Sequence, residues 1–160
     1  MKNEVEKVKY RKLIRNGIMS YWKGSYAISG TKFKVRTKVS ETKSNAASVT
    51  LYHTYGTSHV RQPSGGWRKD NPGTMYLYTG DRHLDRNGNL VKQMYPDADM
   101  KYVAAHEFAH FLGVGDAYDP KTRQPTGRPS MTDEWKKRVT NQDIRKVLTA
   151  FSTNKFQEWD

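Results

Sequence analysis

The sequence predicts an α+β domain. Three observations carry this. Apolar residues recur at helical spacing near both ends of the chain. A cleanly alternating stretch between them reads as a strand, and further short strand candidates follow it. A third helical stretch, around residues 100–112, then precedes a Pro- and Gly-rich loop. The predicted order is helix, strands, helix, loop, helix, in one domain spanning residues 1–160. No internal repeat, low-complexity tract or linker divides the chain, and 160 residues suffice for one hydrophobic core.

Residues 3–22 read as the first helix. Asn3 is a plausible N-cap with Glu6 three positions on, a capping-box-like start. Val5, Val8, Leu13, Ile14, Ile18 and Met19 form an approximate apolar strip. Tyr26–Ile28, the turn Ser29-Gly30, and Lys32–Val39 read as a hairpin. In its second strand Phe33, Val35, Thr37 and Val39 face the core, while Lys32, Lys34, Arg36 and Lys38 form a basic stripe. Lysines on an edge strand block unwanted pairing, and an acidic partner is the functional alternative.

Val49–Tyr55 is a further strand candidate, and Gly56–Pro72 reads as loop. Thr74–Tyr78, between Gly73 and Gly80, reads as a short strand, and Asp85–Asn89 as a polar turn. Asp97 or Asp99 caps the next helix, which runs to about Leu112 with Val103, Ala104, Phe108 and Phe111 toward the core. Residues 119–134 form a loop. Thr140 or Asn141 caps the last helix, with Asp143 in its first turn and Ile144, Val147, Leu148 and Phe151 as its apolar strip.

There are no cysteines, so the chain has no disulfides and any metal site must use nitrogen and oxygen donors. The net charge of +12 favours acidic partners and polyanions in general. No run of eighteen apolar residues is present, so no transmembrane segment is expected. Met1–Lys7 has no apolar region of the signal-peptide type. The expected setting is cytoplasmic, or a secreted or delivered domain whose export signal lies elsewhere.

The chemistry concentrates in Ala105–Tyr118. His106, Glu107 and His110 spell H-E-x-x-H. Residues four apart on a helix share a face, so both imidazoles can converge on one metal ion, with Glu107 bordering that face. Gly113 follows, where a helix must stop and turn sharply, and Asp116 then returns toward the metal. A satisfied core histidine pair is the bland alternative, and the added Gly113, Asp116 and Met131 weigh against it. His53, His59 and His83 have no ligand-like spacing and read as strand or loop residues.

The pattern H-E-x-x-H-x-x-G-x-x-D, with Tyr118 two residues later, resembles the snapalysin-like branch of the metzincin zinc metallopeptidases. Arg128-Pro129-Ser130-Met131-Thr132 resembles the Met-turn of that superfamily. The likeness is specific over roughly residues 100–150; before that only the order of elements matches. It implies a mixed twisted sheet with an N-terminal helix, an active-site helix and a C-terminal helix. It also implies one catalytic Zn²⁺ held by His106, His110 and Asp116, with Met131 beneath it. The usual third ligand is His rather than Asp, and Asp133 stands where some relatives carry a tyrosine, which leaves Tyr118 as the substitute.

The implied reaction is zinc-dependent endopeptidase hydrolysis of a protein or peptide. Glu107 acts as general base, and Tyr118 donates to the developing oxyanion. Asp97, Asp99 and Asp119 are the candidates to orient the zinc histidines' other ring nitrogens. Strand Thr74–Tyr78 is the expected substrate-binding edge. The motif on a short, basic, cysteine-free chain also resembles metallopeptidase toxin modules of bacterial polymorphic toxins of the Rhs type, which would meet an acidic immunity protein. Two alternatives stand beside this: a basic nucleic-acid-binding or protein-interaction module with a non-catalytic metal site, and zinc hydrolysis of another amide such as a peptidoglycan cross-link. No recognised nucleic-acid motif is present, so no specific nucleic acid is expected.

Overall fold

The computed structural model describes residues 4–42 and 46–160. Helix α1 spans Glu4–Tyr21, followed by strands β1 (Gly24–Ile28), β2 (Thr31–Val35), β3 (Ser48–Tyr55), β4 (His59–Arg61), β5 (Thr74–Leu84) and β6 (Leu90–Met94). Helices α2 (Asp97–Phe111) and α3 (Asn141–Thr153) complete an α+β architecture. The expected cap Asn3 lies outside the described residues.

The long sheet is mixed. β5 runs between β3, its parallel neighbour, and β4, which is antiparallel; β6 pairs with the second half of β5 as a hairpin. The stretch Thr74–Tyr76 is therefore bonded on both sides, and the expectation that it forms a free substrate-binding edge is corrected. β5 also runs on past Gly80 to Leu84, and β4 and β6 lie where no strand was expected. β4 is three residues long, and β6 is mostly exposed, so neither carries the apolar alternation that marks a half-buried strand. Asp85 makes the expected turn, its Oδ1 accepting from the N–H groups of Asn87 and Asn89, each at 2.8 Å.

β1 and β2 form a separate hairpin. β2 ends at Val35 rather than Val39, because the chain beyond it leaves strand pairing: the Thr37 hydroxyl donates to the Trp22 carbonyl at 2.6 Å. The apolar face of this hairpin is only partly covered, and Phe33 stays 36% exposed.

Helix α2 runs through the middle of the core. One buried cluster on it includes Trp22, Tyr102, Ala105, Ala109, Met131 and Ile144. The other includes Leu13, Met75, Leu77, Met100, Val103 and Phe111. Two indole N–H groups lock onto its carbonyls, Trp22 on Ala105 and Trp67 on Phe111, each at 3.0 Å. α1 crosses α2 at Gly17, where a Cβ would lie 2.4 Å from the Lys101 carbonyl oxygen. Only the second half of α1 uses its apolar strip; Val5 and Val8 face solvent.

Neither Asp97 nor Asp99 caps α2: the N-cap is Pro96, with no side-chain cap bond. Both carboxylates sit in the first turn, where negative charge is favoured by the helix dipole, and pair with Lys9 and Lys136. Thr140 caps α3 in a full capping box with Asp143. Along α3, Ile144 is buried but Leu148 is exposed, and Phe151 is only partly covered by an edge-on contact with Trp67. Among the described residues no helix is long and apolar enough to cross a membrane.

Candidate metal centre

The helical spacing does what it promised. His106 and His110 lie on one face of α2, with ring centroids 5.2 Å apart. The helix ends one residue after His110, at Phe111. Gly113 takes φ +84°, and a Cβ there would sit 2.7 Å from Ala150 Cβ and 2.9 Å from the Trp67 ring, so conformation and space both require glycine. The returning chain places Asp116 Oδ1 3.0 Å from His106 Nε2 and 3.2 Å from His110 Nε2.

Those distances test the fit of an ion. Tetrahedral zinc with bonds of about 2.0–2.1 Å sets its donor atoms about 3.3 Å apart. Two carboxylates compete for the place beside the histidines. One ligand atom each from His106, Glu107 and His110 lie within 4.8 Å of one another, but Glu107 Oε2 stands 3.9 Å from His110 Nε2. Asp116 spans the tetrahedral edge and Glu107 stands off it. The set of two imidazole nitrogens and one carboxylate oxygen suits zinc. Glu107 is buried, and its Oε2 has no hydrogen-bond partner among the described residues. A buried bare carboxylate oxygen is costly, so its place beside the histidines calls for a ligand or a proton donor.

Both rings are oriented from behind. His110 Nδ1 donates to the Val114 carbonyl at 2.8 Å, leaving Nε2 toward Asp116. His106 Nδ1 lies 3.4 Å from the Tyr102 hydroxyl, which itself lies 2.7 Å from the Met131 carbonyl oxygen and 3.0 Å from that of Glu134. The phenol donates to these carbonyls and faces His106 Nδ1 from behind. Asp97, Asp99 and Asp119, the expected partners, do none of this; Asp119 instead holds the backbone N–H groups of Lys121 and Thr122. Tyr102 sits one helical turn before His106, so the same spacing that found the ligands could have found it.

Electrostatics mark the site as cation-seeking. Burial works against charge on His110, but the Asp116 hydrogen bond and the charges of Glu107 and Asp116 outweigh it and push its pKa up to about 9. Burial also works against ionised Asp116, yet hydrogen bonds from His106 and His110 hold its carboxyl far below the usual range. Tyr118 stacks on His106 with centroids 6.4 Å apart and planes 19° apart. Burial, then the Asp116 charge and hydrogen bond, push its phenol above the usual range, so it stays a proton donor at neutral pH.

The Asp116 loop hangs in a polar frame. Thr132 Oγ1 donates to the Gly115 carbonyl and accepts from the Ala117 N–H, both at 3.0 Å. On the other side the C-terminal segment pairs with it: Gly115 N–H donates to Gln157 O at 2.9 Å, and Trp159 Nε1 to Gly115 O at 3.1 Å. Met131 is fully buried in the cluster that contains Ala105 and Ala109. Its N–H donates to Asp143 Oδ2 at 2.9 Å, while Ser130 Oγ donates to Asp143 Oδ1 at 2.5 Å. Asp133 accepts from the Thr126 and Gly127 N–H groups at 2.8 and 3.0 Å and shapes the loop before it. Thr132 and Asp143 were not readable as site residues, because nothing in their spacing reports whom they meet.

His106, Glu107 and Tyr118 line a cleft of about 530 Å³ together with Asp81, His83, Tyr95 and Trp135. A somewhat larger hollow of about 630 Å³ contains none of the site residues. His83 bonds Asp81 on the cleft wall, His53 contacts Thr79, and His59 contacts the Thr57 carbonyl.

Replacing Asp143 by Ala leaves Ser130 Oγ and the Met131 N–H without their buried acceptor. The expected cost is about 3 kcal/mol, read as a lower denaturation midpoint with an unchanged m-value. A cost below about 0.5 kcal/mol would remove Asp143 as the anchor of this turn. No family model, curated protein or solved structure matches the chain, so the functional reading rests on the residues of the site.

Proposed function

We propose that this chain is a zinc-dependent endopeptidase of metzincin-like fold, with His106, His110 and Asp116 as the metal ligands. One observation carries the reading. Asp116 Oδ1 spans both imidazole nitrogens at 3.0 and 3.2 Å, while the Glu107 carboxylate lies beside them, 3.9 Å from His110 Nε2, with its buried Oε2 making no hydrogen bond among the described residues. A purely structural metal site gains nothing from a bare buried carboxylate, whereas a hydrolytic one needs a base there.

Zinc, when bound, supplies Lewis acidity that polarises the scissile carbonyl and brings a water's pKa toward ~7. Glu107 takes the proton of the attacking water through Oε2 and returns it to the leaving amine. Tyr118, protonated and stacked on His106, donates its O–H to the carbonyl oxygen as negative charge develops. Tyr102 and the Val114 carbonyl keep the histidine rings from turning. Met131 shapes the floor through packing and does not ligate. Protein or peptide is the substrate class; the ligand set serves another amide equally well.

The biological setting we infer is a bacterial toxin or effector module delivered as part of a larger protein. The motif resemblance and the net charge of +12, which suits an acidic immunity protein, support it.

Glu107→Ala is expected to retain about one zinc per chain while losing peptide cleavage by at least about 100-fold, and to abolish any growth arrest caused by expressing the active domain. Wild-type cleavage by that variant would end the mechanism. Asp116→Ala should weaken zinc binding, and unchanged affinity in a zinc titration would remove Asp116 from the ligand set. The His110 pKa of about 9 sets the pH dependence. Below that pH the metal-free imidazole carries a proton that zinc must displace. Zinc binding at pH 7 therefore releases about one proton, and affinity drops about tenfold per pH unit from pH 9 downward. Calorimetry in buffers of different ionisation enthalpy reads this directly; no proton release would contradict the ligand role of His110.

A further inference from the structure

The face of the long sheet turned away from the helices holds a second set of convergent groups. Along β5, Met75, Leu77 and Thr79 are fully buried, whereas Tyr76 and Tyr78 alternate to the other side. Register sets Tyr52 of β3 beside Tyr78, and His59 of β4 beside Tyr76. The four rings form a near-parallel series. His59 and Tyr76 lie 5.1 Å apart, Tyr76 and Tyr52 6.3 Å, and Tyr52 and Tyr78 5.0 Å, with interplanar angles of 24°, 13° and 25°. Face-to-face contact needs only about 3.5 Å, so the rings are slipped by roughly 3.5–5 Å and part of each face stays bare. Tyr52 is 41% exposed and His59 is exposed.

Charge on this face has one sign. Arg61 pairs across from Thr74, and Arg82 across from Lys92, all at outward positions by alternation. No Asp or Glu occupies an outward position of β3, β4, β5 or β6 among the described residues; Asp81, with its neighbour Arg82, lines the metal cleft at the end of β5. The hollow of about 630 Å³ continues from the ring series, bordered by Arg61, Thr74 and Tyr76 and also by Asp70, whose carboxylate lies 3.9 Å from Arg68 Nε. Cross-strand tyrosine pairs alone would stabilise a sheet, and outward Arg and Lys alone would keep it soluble. Together, partly bare rings flanked by cations, on strands with no outward carboxylate, suit a chain of stacked bases and phosphates. Rings also stack on sugars, but a neutral glycan has no use for three cations.

We propose that this face binds single-stranded nucleic acid without sequence preference, bases stacking on Tyr52, Tyr76 and His59 and phosphates meeting Arg61, Arg82 and Lys92. The site uses none of the proposed metal ligands, although Arg82 also borders the cleft beside them, and it does not depend on the proposed peptidase activity. The test is fluorescence anisotropy of labelled oligothymidylate with the full chain at several salt concentrations, beside a duplex probe. The single strand is expected to bind more tightly than the duplex. Tyr52→Leu and Tyr76→Leu, which keep bulk and strand propensity, should each weaken binding roughly 5- to 150-fold, while Tyr52→Phe binds as wild type. Arg82→Gln should lower the slope of log affinity against log salt by about 0.7. Oligothymidylate should also protect Tyr52 and Tyr76 of the wild-type protein from nitration, mapped by mass spectrometry, which decides the matter even where a Leu variant fails to fold. Equal affinity for duplex, Leu variants that bind like wild type, absent protection, or binding of chito-oligosaccharides in place of oligonucleotides would each overturn the proposal.

Discussion

A carboxylate oxygen can rest 3.0 and 3.2 Å from two imidazole nitrogens only if three separate pieces of backbone are held still. Two of those pieces come free with the helix, since residues four apart share a face. The third does not. Asp116 lies beyond the helix end, on a loop that would lose much conformational entropy on ordering. The rest of the chain around residues 113–160 is arranged to hold that loop.

The holding is done by polar groups rather than by packing. Thr132 clamps the loop from one side and the C-terminal segment from the other, so Gly115 and Ala117 on either side of Asp116 have their backbone groups bonded. Thr132 in turn depends on Ser130 and Asp143, and Asp143 also completes the cap of α3. One buried carboxylate thus couples a helix N-terminus to the turn under the site. Buried hydrogen bonds of this kind are directional, and they fix the position of the Asp116 loop more closely than packing area would.

The two faces of the long sheet divide the molecule's surface chemistry. The inner face packs on α1 and α2 and, at its far end, contributes Asp81 and His83 to the cleft beside the histidines. The strands of the outer face carry rings and cations and no outward carboxylate.

What the sequence determined by itself was local. The α+β class, the shared face of His106 and His110 with Glu107 bordering it, the stop at Gly113 and a cap at Thr140 or Asn141 with Asp143 in the first turn all follow from spacings of a few residues; the structure chose Thr140. The helix spacing also contained Tyr102. Tertiary structure alone decided the rest. Whether Thr74–Tyr78 was an edge or an interior strand depended on β4, which is too short to show a pattern. Which groups would hold the histidine rings depended on where the Met131 and Val114 carbonyls ended up. The contacts that place Asp116 join residues 15 to 44 apart, and Trp22 reaches Ala105 across 83. Separations of that size leave no periodic trace in a sequence, because the chain between them is free to take any path until the core closes.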